Sequence, residues 1–379
     1  MTVPEQAEVV VVGAGPVGLA LGVALRIKGH QVVVLDRQAE GANTSRAAVI
    51  HARTLEMLEG LGVTESLVEQ GIHAKSFSVR SGRSELLPVE FGDLPTLYPY
   101  TLMIPQNLTE QILLDRLTEL GGQVHRPYVV TQVVQDDEGA TVTLADGQTI
   151  RTSYVVAADG MHSVVRDQAG LGFEGEDLEL SFALADVRAE GLPLDEVVLF
   201  FSSEGILVSA PLPDGSVRLV AQIDPAPEEP DVEFAQRLVD ARGPGRGEAV
   251  VREVIWGSRF RIHERVASQF RAGRILLAGD AAHTHSPAGG QGMNLGLRDA
   301  VALATALSTT LGKGDDAPLD EYAVRARAEA RQVVALAHRL TVVGTAKPAV
   351  RDLRNLLLRL LAKNPRFGRR LAFQLAGLR

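Results

Sequence analysis

The chain has 379 residues, 45% of them hydrophobic and 22% charged, a formal net charge of −9 and no cysteine. That length supports a large core and about two domains, and the acidity argues against general nucleic-acid binding. Without thiols, disulfides, thiolate catalysis, Cys-ligated metals and a flavin attached through cysteine are excluded.

Residues 9–12 are an apolar strand run that ends in Gly13-Ala14-Gly15-Pro16-Val17-Gly18. Gly13 would make the tight turn, Gly15 would admit a pyrophosphate against the backbone, and Gly18 would let the following helix pack on the strand. The uncharged run 9–25 is preceded by Glu5 and Glu8, with no basic segment, and glycines interrupt it. It therefore reads as strand, turn and helix, not as a leader or membrane span, and a cytoplasmic protein is expected. A second strand run, 31–35, ends in Asp36 at the spacing where a carboxylate meets a ribose hydroxyl, with Arg37 after it. Strand, glycines, helix and acid together indicate a nucleotide without deciding between FAD and NAD.

Gln106 stands just ahead of a helical stretch, 108–120, for which Asn107 and Glu110 would form a capping box. Residues 154–158 are another buried-looking run, ending in Asp159-Gly160-Met161-His162-Ser163-Val164-Val165-Arg166; an Asp-Gly pair alone is usually a turn. Strands follow at 181–189, 197–202, 206–212 and 217–223, with a hairpin turn at 213–216, a helix near 231–241 and a strand at 254–262. An antiparallel sheet is expected.

The most telling stretch is 273–294, where an apolar strand (275–278) delivers Asp280 at its carboxyl end as an acceptor for a sugar or ribityl hydroxyl. Pro287, Gly289, Gly290 and Gly292 would let backbone approach a flat ring, and a helix from Met293 would point its positive end at it. This suits the anionic reduced flavin of FAD. His283 and His285 frame the loop; no carboxylate at metal-ligand spacing accompanies them, and no metal is expected. The rest is helical. Residues 351–379 carry eight Arg and Lys against one Asp, a local +7 that leaves −16 elsewhere. Leu353, Leu356, Leu357, Leu360 and Leu361 fall at helical spacing there, which predicts an amphipathic helix docked on the body, with an acidic carrier protein or an anionic membrane as the other destinations.

Taken in order, these motifs resemble the group A flavoprotein monooxygenases, the single-component FAD-dependent aromatic hydroxylases of the para-hydroxybenzoate hydroxylase fold, over residues 9 to about 310. The resemblance implies an α/β protein whose FAD-binding dinucleotide fold is assembled from discontinuous segments, 1–75, 98–178 and 264–330. A mainly antiparallel substrate sheet would occupy 76–97 and 179–263, and basic C-terminal helices 331–379, with no thioredoxin-like domain after them. It implies FAD contacts at Gly13, Gly15, Pro16, Val17, Gly18, Asp36, Arg37, Gln106, Asp159 and Asp280, with Arg46 on the pyrophosphate. Pro287, Gly290, Gly292, Met293 and Asn294 would line the oxygen side of the flavin. Pro287 and His51 are the catalytic candidates, and Phe200, Ile206, Val208 and Arg218 the substrate candidates.

The implied reaction uses NADPH or NADH to reduce FAD, then O2 to form a C4a-hydroperoxyflavin that hydroxylates a phenol, with no side chain obliged to act as acid or base. Family members receive the nicotinamide transiently, which agrees with the lack of a second nucleotide fold. The apolar strands favour a polycyclic, polyketide-like phenol over a small benzoate. Epoxidation, Baeyer–Villiger insertion or flavin-dependent reduction on the same fold are alternatives, and a non-catalytic FAD-binding partner protein is a remote one. The expected partners are this aromatic substrate, O2 and NAD(P)H, with no nucleic acid and no integral membrane.

Overall fold

A computed structural model describes residues 2–41, 47–287, 289–344 and 350–378. Two large sheets organise them. The first runs Arg271–Ala272, Ile275–Leu277, Thr149–Ala157, Gln6–Val12, Val32–Leu35, Val124–His125, with the hairpin Val130–Gln135 and Ala140–Leu144 joined at Thr149–Ala157. Its central strands are parallel. Helices cover them, which is why Val9, Val10 and Val11 are apolar without alternation and wholly buried. Each such side chain contributes roughly 1.5–3 kcal/mol of burial. Pro16–Ile27 and Gly292–Lys313 pack together over this core.

The second sheet runs His283–Thr284, Val250–Ala267, Phe173–Glu190, Val217–Gln222, Gly205–Pro211, Val197–Ser202, Ser76–Ser81, Ser84–Glu90. It is antiparallel except where Val197–Ser202 meets Ser76–Ser81. Phe173–Glu190 and Val250–Ala267 have 18 residues each, about twice the lengths predicted, because charged positions at their outer ends break the apolar alternation. These two ribbons carry the sheet back to the parallel one. The helix Val232–Arg242, capped by Asp231 accepting from Phe234 N–H at 2.7 Å, covers one face. A short three-stranded sheet of Val49–Ile50, Thr101–Met103 and Ile72–Ala74 lies against the other.

Two expected features differ. The helix after Gln106 begins at Gln106 itself, with extended Pro105 as its N-cap, so Asn107 and Glu110 form no capping box; Glu110 instead accepts from the Gln106 side chain at 2.8 Å. In Arg351–Ala362 the five leucines do not dock. The helix attaches through Leu358 and Ala362 instead, which pack on the cluster that holds Ala372 and Leu375 of the next helix, Pro365–Leu375.

Candidate active site

Parallel register brings the three motifs to one sheet edge. Val12 pairs with Ala157, and Ala157 with Leu277, so Gly13, Asp159 and Asp280 follow the carboxyl ends of three adjacent strands. Open α/β sheets bind ligands there. Gly13 has φ +103°, and a Cβ on it would lie 2.2 Å from the Ala158 carbonyl oxygen, so only glycine makes this turn. A Cβ on Gly15 would meet nothing within 4 Å, which leaves open space before the helix N-terminus formed by Pro16, Val17 and Gly18. Asp36 accepts from the Ala14 N–H at 2.7 Å and faces Arg126 at 3.4 Å, while Arg37 is exposed. Arg126 was missed in the sequence because a lone Arg before Pro127 carries no motif.

The second motif is stitched to the third. Asp159 accepts from Val164 N–H at 3.0 Å through Oδ2, while Oδ1 is buried without a partner. Burial pushes this carboxyl above its ordinary range, against the bonds from Ser163 and the backbone. Arg166 is buried and donates to the carbonyls of Met161 at 3.0 Å and Ala281 at 3.2 Å, beneath the Phe173 ring. In the third motif Gly296 admits Val17: a Cβ on it would lie 2.6 Å from Val17 Cγ2. Asp299 accepts from Gly279 N–H at 3.2 Å and pairs with His283 Nε2 at 2.6 Å. Burial lowers the His283 pKa, but the Asp299 charge and hydrogen bond outweigh it, and the ring is held above its ordinary value. Asp280 is exposed at the strand end, in the middle of the short 3-10 turn Gly279–Ala281.

The loop beyond Asp280 is held from three sides. Pro287 is exposed and its carbonyl accepts from Gly290 N–H at 2.9 Å; the long helix starts at Gly292, with Met293 in its first turn. Asn294 accepts from the His51 N–H at 2.8 Å and donates to the carbonyls of Val49 at 2.9 Å and Gly290 at 2.8 Å. His51 donates from Nε2 to the Gly289 carbonyl at 2.9 Å, and its Nδ1 is buried without a partner. Burial lowers its pKa to about 4, so the ring is neutral near pH 7. The chain's last helix supplies the third side: Gln291 donates to the Leu375 carbonyl at 3.2 Å, and Arg53 N–H to that of Ala376 at 3.1 Å. Gln106 accepts from Ala47 N–H at 3.3 Å and so fixes the chain entering Val49. Arg46 lies outside the described residues.

The substrate candidates divide by strand alternation. Ile206 and Val208 lie on the face turned towards the three-stranded sheet and C-terminal helices. Phe200 does not: it packs with Leu207 and Val239 on the opposite face, beneath Val232–Arg242, because it neighbours Phe201 and must point the other way. Arg218 shares the inner face but makes a two-pronged pair with Asp186, both contacts 2.7 Å, and donates to the Ala47 carbonyl at 3.1 Å. It is a buried structural strut instead of a substrate anchor. Among the described residues, no group of three or more His, Asp and Glu is placed to hold a metal.

The open space at Gly15, the unpartnered Asp159 oxygen and the acid Asp36 beside the glycine turn form an acceptor and backbone-donor set that fits a dinucleotide. The sequence model of the FAD binding domain family matches residues 6–337. The chain belongs to the group A flavin-dependent aromatic monooxygenases. It is 36% identical to the 12-dehydrotetracycline 5-monooxygenase/anhydrotetracycline 6-monooxygenase of Streptomyces rimosus, over 93% of this chain and 73% of that one. It is 33% identical to the dialkyldecalin synthase of Streptomyces rugosporus, over 93% of this chain and 76% of that one. The crystal structure of p-nitrophenol 4-monooxygenase from Pseudomonas putida DLL-E4 superimposes with a TM-score of 0.87 at 27% identity, covering 98% of this chain and 99% of the other. This monooxygenase therefore shares the aromatic hydroxylase fold and is an FAD-dependent enzyme. No described helix is long and apolar enough to cross a membrane.

Proposed function

We propose that this monooxygenase hydroxylates a polycyclic phenol of polyketide type, with FAD as cofactor and NADPH or NADH as reductant. One observation carries the substrate class. The inner face of the antiparallel sheet offers Ile206, Val208, Ala210 and the stacked rings of Phe182 and Phe260, and its buried cation, Arg218, is committed to Asp186. Among the described residues of this face no other cation stands beside Arg218 to hold a small acid's carboxylate, whereas an extended apolar ring system gains from every contact. The anhydrotetracycline enzyme among its relatives agrees with this class.

When bound, FAD supplies hydride acceptance and oxygen activation. The unbonded first-turn N–H groups of Val17 and Gly18 in Pro16–Ile27 would receive its pyrophosphate, Asp36 a ribose hydroxyl and Asp280 a ribityl hydroxyl. Asn294 and His51 act on the loop: their bonds to Gly290 and Gly289 set the backbone so that the free amides at the start of Gly292–Lys313 face the cofactor and favour negative charge. His51 is neutral near pH 7 and adds no positive charge there. The cytoplasm, which holds NAD(P)H, is the site of action.

Mono- to tetracyclic phenols screened for stimulated NAD(P)H oxidation, with product masses, test this reading. The expected result is stimulation by tricyclic and tetracyclic phenols and gain of one oxygen; stimulation by small benzoates alone would overturn it. The likeness to a dialkyldecalin synthase favours a second reading, cyclisation on the same scaffold. An isomeric product formed without NAD(P)H consumption would select it.

A further inference from the structure

The helix Arg351–Ala362 wears its apolar side outward. Its inner side is held by Leu358 and Ala362, and by Arg354, whose guanidinium lies 4.1 Å from the Phe201 ring centre and donates to the carbonyls of Val343 and Gly344. What remains for solvent is Leu353, Leu356, Leu357, Leu360 and Leu361, between 38% and 58% exposed. Val350 at the N-cap and Val342 and Val343 on the preceding helix add to the patch. Single exposed leucines need no explanation, but five on one helical face mark a contact surface.

The border of this face is cationic. Arg359, Lys363, Arg366, Arg369 and Arg370 are all exposed, and Asp352 is the one acid between residues 351 and 379. That charge selects among occupants. A second copy meeting through the same face would bring two such cationic borders together, since a twofold interface pairs a patch with itself. A protein partner is ordinarily held by aromatic anchors, and this face presents only leucine and valine side chains. A leucine face with an Arg and Lys border is the pattern of a helix lying in a lipid interface, with leucines at the acyl boundary and cations at phosphates. At 12 residues the helix is far too short to span a bilayer and suits one lying flat.

We propose that this helix docks the monooxygenase on the surface of an anionic phospholipid bilayer. Sedimentation of the FAD-saturated protein with vesicles of phosphatidylglycerol and phosphatidylcholine, or of phosphatidylcholine alone, tests it. Binding is expected to the anionic vesicles only and to fall steeply between 0.1 and 0.5 M NaCl. The double variant Leu356→Glu/Leu360→Glu should lower the partition coefficient by about tenfold or more, and Lys363→Glu/Arg370→Glu by a similar factor, with unchanged Tm because all four side chains are exposed. No binding to anionic vesicles at low salt overturns the proposal, as does equal binding by the leucine variant. Light scattering that shows a dimer split by Leu356→Glu/Leu360→Glu, without vesicle binding, would assign the face to a second copy instead.

Discussion

Two places in the molecule, one in each large sheet, treat buried polar groups in opposite ways. At the carboxyl edge of the parallel sheet, Asp159 keeps one oxygen, and nearby His51 one ring nitrogen, buried and without a partner. In the antiparallel sheet, Arg218 and Asp186 close on each other with two contacts of 2.7 Å. The first region leaves hydrogen-bonding capacity unused, as a ligand site would require, and the second uses its charges to hold strands to the chain before Val49.

Breaking the closed pair should have the largest effect. Arg218→Ala leaves Asp186 buried and unpaired and should cost about 3–5 kcal/mol in urea unfolding. Unchanged stability with a raised KM would return Arg218 to the substrate site. Next is His51, whose folded pKa of about 4 lies below its ordinary 6.5 because of burial. Between those values the unfolded chain binds more protons, so this contribution is full above pH 6.5 and is lost as pH falls towards 4. His51→Gln, which cannot titrate, should flatten the change in unfolding free energy between pH 7 and pH 5 by about 2 kcal/mol. An unaltered slope would mean the ring protonates freely in the folded protein.

Asp280→Ala should weaken FAD binding about tenfold, through loss of one charge-assisted hydrogen bond, as read by fluorescence titration of the apoprotein. An unchanged Kd would remove Asp280 from the cofactor site. The smallest effect belongs to Asn107→Ala, expected within about 0.5 kcal/mol of the parent in thermal unfolding, where a real capping box would cost about 1 kcal/mol.

The same division decides what the sequence revealed. That Gly13, Asp36, Asp159 and Asp280 gather at one edge was legible because each follows an apolar strand run, and parallel strands put their carboxyl ends together. The Arg218–Asp186 pair was not, since it depends on register between strands 32 residues apart. Phe200 was named a substrate candidate for a related reason: Phe200 and Phe201 are equally apolar, and only the position of Val232–Arg242 decides which one it covers. Gly296 left a faint signal, a glycine inside a helical pattern, whose cause is the Val17 side chain on the first helix. The leucines of Arg351–Ala362 gave the right periodicity and the wrong direction, because periodicity fixes a stripe and says nothing of which way it turns.

The adjacency of Gln6–Val12, Thr149–Ala157 and Ile275–Leu277 has a further consequence for biogenesis. The three segments span most of the polypeptide, so a nascent chain acquires its cofactor cradle only after the ribosome has released about three quarters of it. Acquisition of yellow colour would therefore serve as a clock for late assembly, and fragments ending before residue 275 should stay colourless.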